Sequence, residues 1–300
     1  MSSSLQYFLL AFSLFSISQA AVPASKTFKF VNEGEFGDYI VEYGANYRVL
    51  DIYTFPFQLC FFNTTPNNYS LGLRMGTVRS ESQMRWVWEA NRNNPVGENA
   101  TFSLEQNGNL VLAEANGHVV WQTNTSNKGV VGFKLLPNGN MVLHDSKGKF
   151  IWQSFKEPTD TLLVGQELHI NGPTYLTSRP YTSSGHYSYF LHLEFQRLVL
   201  WNFNNTENTG PKVVVNVGDG MIEYMRFISN RKTNALRFEY KSNKYTTIKT
   251  STYGARTLSR PKFNTTLTYF RLDTDGNLKA YTYDTRKEAG SWKVTYALYK

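Results

Sequence analysis

Two stretches of the chain are near-copies: "LEQNGNLVLAEANGHVVWQ" at 104–122 and "LLPNGNMVLHDSKGKFIWQ" at 135–153. Each carries Asn-Gly-Asn, an apolar alternation, a second turn and a closing Trp-Gln. At a constant offset of 31, Asn107 matches Asn138, Asn109 matches Asn140, Val111 matches Val142 and Trp121 matches Trp152. Trp88, in "WVWEANRNNPV", lies 33 residues before Trp121. Three units of similar length, each closing on Trp, predict a pseudo-threefold arrangement. Each unit reads as short strands broken by Asn-Gly and Lys-Gly turns. No unit could bury its apolar face alone, so the three should pack together with the indoles meeting at the axis.

The texture changes at "FKEPTDTLLVGQELHINGPTYLTSRP", 155–180, which has three Pro and no repeat. It is expected to connect two domains, at 26–160 and 175–300, with 161–174 as the linker. The second domain alternates clearly in places, with Phe190, His192 and Glu194 against Leu191, Leu193 and Phe195. Near its end, "RLDTDGNLKAYTYD" at 271–284 sets Asp-Gly-Asn where Asn-Gly-Asn stood, so this domain is expected to be a diverged copy of the first. Throughout, the apolar spacing is two rather than 3.6, which predicts an all-β chain.

Composition agrees: 41% of residues are hydrophobic, 15% aromatic and only 18% charged. The first twenty residues lack any charge, and an apolar run from Leu5 to Ile17 ends in Ser18-Gln19-Ala20. This predicts a signal peptide at 1–20, cleaved after Ala20. No later apolar run approaches a membrane span, so the mature chain is expected to lack one. Six sequons, at Asn63, Asn68, Asn99, Asn124, Asn204 and Asn264, fit passage through the secretory pathway and are candidate N-glycosylation sites. The lone Cys60 sits in "FQLCFFN" and is expected to be a buried small hydrophobe.

These motifs resemble the bulb-type mannose-binding lectins of plants. They are more similar still to the tandem lectin region of S-locus glycoproteins and to epidermis-specific secreted glycoproteins. The carrying phrases are "WVWEANRNNPV", "GNLVL", "VVWQTNT", "IWQSFKEPTDTLLVGQ" and "LCFFNTTPNNYSLGLRMG". The resemblance implies two tandem β-prism II domains, each with three four-stranded sheets, the first around a Trp-rich centre. It also implies a secreted, wall-associated protein that binds glycans or cell-wall polysaccharide, and a homodimer made through edge strands. A cofactor is not implied.

The family's sugar site is Gln-X-Asp-X-Asn-X-Val-X-Tyr. Alternate positions face one groove because strand side chains alternate. Here 105–113 supplies Glu105, Asn107, Asn109, Val111 and Ala113, and 136–144 supplies Leu136, Asn138, Asn140, Val142 and His144. The copy at 273–281 keeps most, with Asp275, Asn277 and Tyr281, although Asp273 and Lys279 replace Gln and Val. No copy is intact. Sugar binding is therefore expected to be weak and centred on Asp275, Asn277 and Tyr281. In the first two copies the same residues are also what tight turns require. The alternative function is a structural wall glycoprotein that kept the fold without the sugar.

Catalytic groupings are not evident. The five His residues stand in no metal-ligand spacing, and no Gly-X-Ser-X-Gly elbow occurs. The net charge of +8 is concentrated between Arg226 and Lys262, where ten Lys or Arg accompany one acid, Glu239. Behind a signal peptide this excludes nucleic acid as the expected partner and points to an extracellular polyanion such as acidic pectin.

Overall fold

The computed structural model describes residues 21–76, 84–179, 189–203, 210–217, 220–230, 232–242, 251–261, 267–284, 286 and 291–300. Side chains are not described at 240–242 and 251–253. The expected signal peptide, Asn204, Asn264 and several cations of the basic segment lie outside these residues.

Among the described residues there is no α-helix. The first group of strands is β1 (Phe28–Val31), β2 (Asn46–Thr54), β3 (Phe57–Thr65), β4 (Asn68–Met75), β5 (Arg85–Glu89), β6 (Thr101–Leu104), β7 (Leu110–Ala113), β8 (Val119–Gln122), β9 (Gly132–Leu135), β10 (Met141–His144) and β11 (Phe150–Gln153). They form three antiparallel sheets, in the orders β2-β3-β4-β5, β1-β6-β7-β8 and β11-β10-β9. The third sheet has three described strands, not four. All three sheets feed one core, with Leu59, Leu71 and Leu73 from the first, Phe102 and Leu112 from the second, and Met141 and Leu143 from the third.

The indoles meet as the repeat predicted. The ring centroids of Trp88, Trp121 and Trp152 lie 5.9, 6.5 and 5.8 Å apart, each pair edge-to-face. That geometry sets the positive edge of one ring against the negative face of the next, and adds about 0.5–1.5 kcal/mol per pair beyond burial. A buried indole N–H needs an acceptor. Glu157 supplies two: its backbone carbonyl accepts from Trp88 Nε1 at 2.9 Å and its Oε1 accepts from Trp152 Nε1 at 2.6 Å.

The second group is β12 (Thr161–Leu163), β13 (Glu167–His169), β14 (Tyr175–Thr177), β15 (Tyr189–Leu193), β16 (Arg197–Asn202), β17 (Lys212–Asn216), β18 (Gly220–Ser229), β19 (Asn234–Ser242), β20 (Ser251–Ser259), β21 (Thr268–Leu272), β22 (Leu278–Asp284) and β23 (Ser291–Ala297). Three more sheets result, ordered β14-β15-β16-β17, β13-β18-β19-β20 and β12-β21-β22-β23. The architecture is two β-prisms in tandem.

The stretch 161–174, expected as a linker, is instead structural. It holds β12 and β13, and with β14 it supplies the edge strand of each sheet in turn. Each of these strands sends one fully buried leucine, Leu162, Leu168 or Leu176, into the second core. The Pro and Gly residues between them make the corners that let one short segment visit three sheets.

Strand β3, inside the sheet β2-β3-β4-β5, is buried on both faces, which explains the unbroken apolar run around Cys60. Leu59 and Phe61 face the main core, while Cys60 and Phe62 join Tyr47 and Trp86 in a separate cluster. Burial pushes the Cys60 thiol up to about 12, so it stays protonated at neutral pH.

Between the prisms lies a buried ion network. Arg271 of β21 donates to Glu42 at 2.7 Å, to Thr161 Oγ1 at 3.0 Å and to the Trp86 carbonyl. Asp160 accepts from Arg92 at 2.9 Å, and Glu89 accepts from both Arg92 at 3.0 Å and Arg179 at 2.5 Å. Burial alone would raise the Glu89 and Asp160 carboxyls. The Arg92 guanidinium, joined by Arg179 at Glu89 and by Arg271 at Asp160, more than offsets this and holds both below the ordinary carboxylate range.

Candidate functional site

All three motif copies fold into the same turn. The Gly108, Gly139 and Gly276 N–H groups donate to the carbonyls of Glu105, Leu136 and Asp273 at 2.9, 2.9 and 3.0 Å. Each glycine has positive φ, at 86°, 85° and 76°. This is the three-residue hairpin loop whose last position is left-handed, a conformation glycine adopts without strain. The side chains of Asn107, Asn138 and Asp275 brace it, each accepting from the backbone N–H two residues on, at 2.8, 3.1 and 2.8 Å.

The next residue is a latch in every copy. Asn109 Oδ1 accepts from Thr123 Oγ1 and the Thr125 N–H, and its Nδ2 donates to Gln122 at 2.7 Å. Asn140 repeats this, accepting from Ser154 Oγ and the Phe155 N–H and donating to Gln153 at 2.9 Å. Asn277 accepts from the Leu298 and Tyr299 N–H groups and donates to the Tyr299 carbonyl at 2.9 Å. In each case the amide ties the hairpin to the segment that follows the neighbouring strand. The glutamine of the closing Trp-Gln is that latch's partner in the first two copies, a role that the repeated pair of motifs signals but that sequence reasoning missed.

The valines differ from expectation in their surroundings. Val111 is 6% exposed and Val142 is 0% exposed, so neither offers open surface to a solute. Asn107 and Asn138 stay exposed at the turn tips.

The third copy remains more open. Lys279 Nζ sits 2.8 Å from both Asp273 Oδ2 and Asp275 Oδ2, and the Tyr281 hydroxyl donates to Asp273 Oδ2 at 2.6 Å. Tyr281 stacks on Tyr269 with centroids 5.0 Å apart. Burial would favour neutral Lys279, but Asp273 and Asp275 outweigh it and raise its pKa. Burial raises the Tyr281 phenol, and the Asp273 charge raises it further. The row Asp273, Asp275, Lys279 and Tyr281 lines a cavity of about 220 Å³, together with Tyr43, Arg179 and Arg271. The register accounts for the row: Lys279 and Tyr281 are two apart on β22 and share a face, while Leu278 and Ala280 enter the core.

The remaining candidates are placed as follows. Asn68, Asn99 and Asn124 are exposed, while Asn63 is buried within β3. In the basic segment, Arg226 pairs with Glu167 and Arg256 donates to the Val214 carbonyl. Among the described residues no cluster of His, Cys, Asp or Glu could hold a metal ion, and no helix is long and apolar enough to cross a membrane.

Two tandem β-prisms, the first with two Asn-Gly-Asn hairpins and a Trp triad and the second with one Asp-Gly-Asn hairpin, define a bulb-type lectin fold, and a family model described as D-mannose binding lectin matches residues 85–184. The chain belongs, within that class, to the EP1-like secreted glycoproteins. It is 51% identical over 292 residues to the epidermis-specific secreted glycoprotein EP1 of Daucus carota, covering 93% of this chain and 73% of that one. It is 47% identical over 299 residues to EP1-like glycoprotein 3 of Arabidopsis thaliana, covering 94% and 65%. The lectin-containing receptor-like kinase SD2-2 of Arabidopsis thaliana is 31% identical over 253 residues, which are 79% of this chain but 29% of the kinase. The native fetuin-binding agglutinin of Scilla campanulata, described as a two-domain lectin, is 16% identical and covers 86% of this chain and 97% of its own, with a TM-score of 0.24. The family is one of secreted glycoproteins, not of enzymes.

Proposed function

We propose that this chain is a secreted glycoprotein of the plant cell wall that binds mannose-type glycan weakly, through the row at 273–281. The observation that carries the reading is the cavity of about 220 Å³ beside Asp273, Asp275, Lys279 and Tyr281, which is of monosaccharide size. Its carboxylates and ammonium can exchange hydrogen bonds with sugar hydroxyls, and the Tyr281 ring can close one side. Binding is weak because a hydroxyl must compete with contacts these groups already make with one another. Each polar group buried without a partner would cost about 1–3 kcal/mol, so a poorly matched sugar gains little.

The reading assigns no catalysis. A glycosidase needs one carboxyl protonated and the other ionised. Here a single ammonium bridges Asp273 and Asp275, and Lys279 with the Asn277 N–H outweighs partial burial to hold Asp275 below the usual carboxylate range.

The test is a glycan array on the protein secreted from plant cells, beside Asp273→Asn and Lys279→Ala variants. Mannose-type signals that both variants change support the reading. A folded wild-type protein that binds nothing on the array removes it and leaves the second reading, a structural wall glycoprotein. That alternative draws support from the first two copies, whose amide side chains are engaged within the protein and whose valines are buried.

Two partners extend the proposal. Acidic pectin would bind along 226–262, and retention on polygalacturonate should then fall steeply with salt. A homodimer would form through the outermost strands β8, β17 and β23, where Val119, Val213 and Val294 are exposed. Sedimentation velocity reads it directly.

A further inference from the structure

A larger cleft opens where the two prisms meet, away from the motif rows. Its volume is about 450 Å³, room for two sugar rings rather than one. One wall comes from the first prism, with Trp88 at the end of β5 and Asn94 in the loop beyond it. The floor is the junction, with Glu157 and Thr159. The other wall is β14 of the second prism, with Tyr175 and Thr177.

The chemistry of this lining is mixed in a specific way. Tyr175 is 53% exposed, which offers aromatic surface to the C–H side of a pyranose. The Thr159 hydroxyl is buried and has no hydrogen-bond partner in the structure, a deficit that a ligand hydroxyl would fill. Glu157 is fixed by the Trp152 N–H on Oε1, which leaves Oε2 as an acceptor held in one orientation. Arg92 also lines the cleft, but Glu89 and Asp160 answer its charge at 3.0 and 2.9 Å. The carboxylate of Glu157 thus dominates the local charge, which disfavours an acidic sugar. The walls belong to different prisms, yet the buried ion network sets their separation, so the cleft is preformed and little ordering is needed on binding.

We propose that the inter-prism cleft binds a neutral disaccharide, stacked on Tyr175 and hydrogen-bonded to Thr159 and Glu157. This inference stands apart from the site at 273–281 and does not depend on it.

The experiment titrates the secreted protein with cellobiose, mannobiose, chitobiose and digalacturonate, reading saturation-transfer NMR and Trp fluorescence. Trp88 lines the cleft, so occupancy should shift its emission. At least one neutral disaccharide is expected to shift the Trp emission saturably at millimolar concentration, while digalacturonate leaves that emission unchanged. Tyr175→Ala should weaken that binding about tenfold, equivalent to about 1.4 kcal/mol. Glu157→Gln, which can still accept from Trp152, should weaken it less. Lys279→Ala, whose side chain does not line the cleft, should leave the Trp emission response to that disaccharide unchanged, and unaltered thermal melts keep each variant interpretable. The inference is overturned if no neutral disaccharide saturates, if Tyr175→Ala leaves the affinity intact, or if Lys279→Ala removes it. In that last case the sugar sits at 273–281.

Discussion

The two prisms close the same architecture around different centres. In the first, three indoles interlock edge-to-face and Glu157 caps two of them. In the second, Leu162, Leu168 and Leu176 meet Phe227, Phe238 and Phe270. An indole core is directional, because each ring fixes the tilt of the next and each N–H demands an acceptor. A core of leucine and phenylalanine makes no such hydrogen-bond demand, and tolerates volume-conserving change. The first prism accordingly keeps near-identical repeats, whereas the second keeps the threefold topology with little internal likeness.

Truncation should expose that contrast most strongly. Trp152→Ala is expected to destabilise the first prism by about 3–5 kcal/mol, since it opens a cavity beside Trp88 and Trp121. Leu168→Ala in the second prism should cost about 2–3 kcal/mol. Denaturant unfolding followed by near-ultraviolet circular dichroism compares them. A Leu168→Ala variant as damaged as Trp152→Ala would break the distinction.

The seam between the prisms gives the next largest effect. Glu89 and Asp160 ionise more readily when folded than when unfolded, where carboxyls titrate near about 4. Their stabilising contribution is therefore complete above that range and lost as pH falls through and below it. Melting temperature should drop below about pH 4, and Asp160→Asn should flatten that drop while lowering stability at neutral pH. A melting temperature that holds steady down to pH 3 (~3, below the unfolded carboxyl range) would refute the assignment.

The smallest effect separates the latches. Asn109 is buried and its amide is fully engaged, so Asn109→Ala should cost about 1–3 kcal/mol. Asn277 is half-exposed, and water can replace some of its contacts, so Asn277→Ala should cost less than about 1 kcal/mol. Equal losses would mean that the two hairpins are latched alike despite their different exposure.

The fold was largely legible because its signals are local. Asn-Gly-Asn specifies a three-residue loop, alternation specifies strands, and Trp at intervals of 31 and 33 specifies three units that share an interior. The region 161–174 was misjudged for a physical reason. Its strands are only three residues long, too short for alternation to register, and they pair with β18 and β21, far along the chain. The candidate site was legible in residue identity but not in state. That Asp273, Asp275 and Tyr281 could face a sugar follows from spacing. That Lys279 bridges the two carboxylates follows from rotamers and packing.

The sequence alone determined the strand periodicity and the turn type, which depend on backbone preferences within a few residues, and the threefold meeting of Trp88, Trp121 and Trp152, which its repeat of near-constant length encodes. Only the tertiary structure decided which polar groups are already satisfied. Arg271 reaches Glu42 across 229 residues of chain, and Tyr175 and Glu157 line one cleft where the two prisms meet. Hydrogen-bond partners so distant in sequence leave no periodic trace in it, and they determine whether the row at 273–281 and the separate inter-prism cleft can take a ligand.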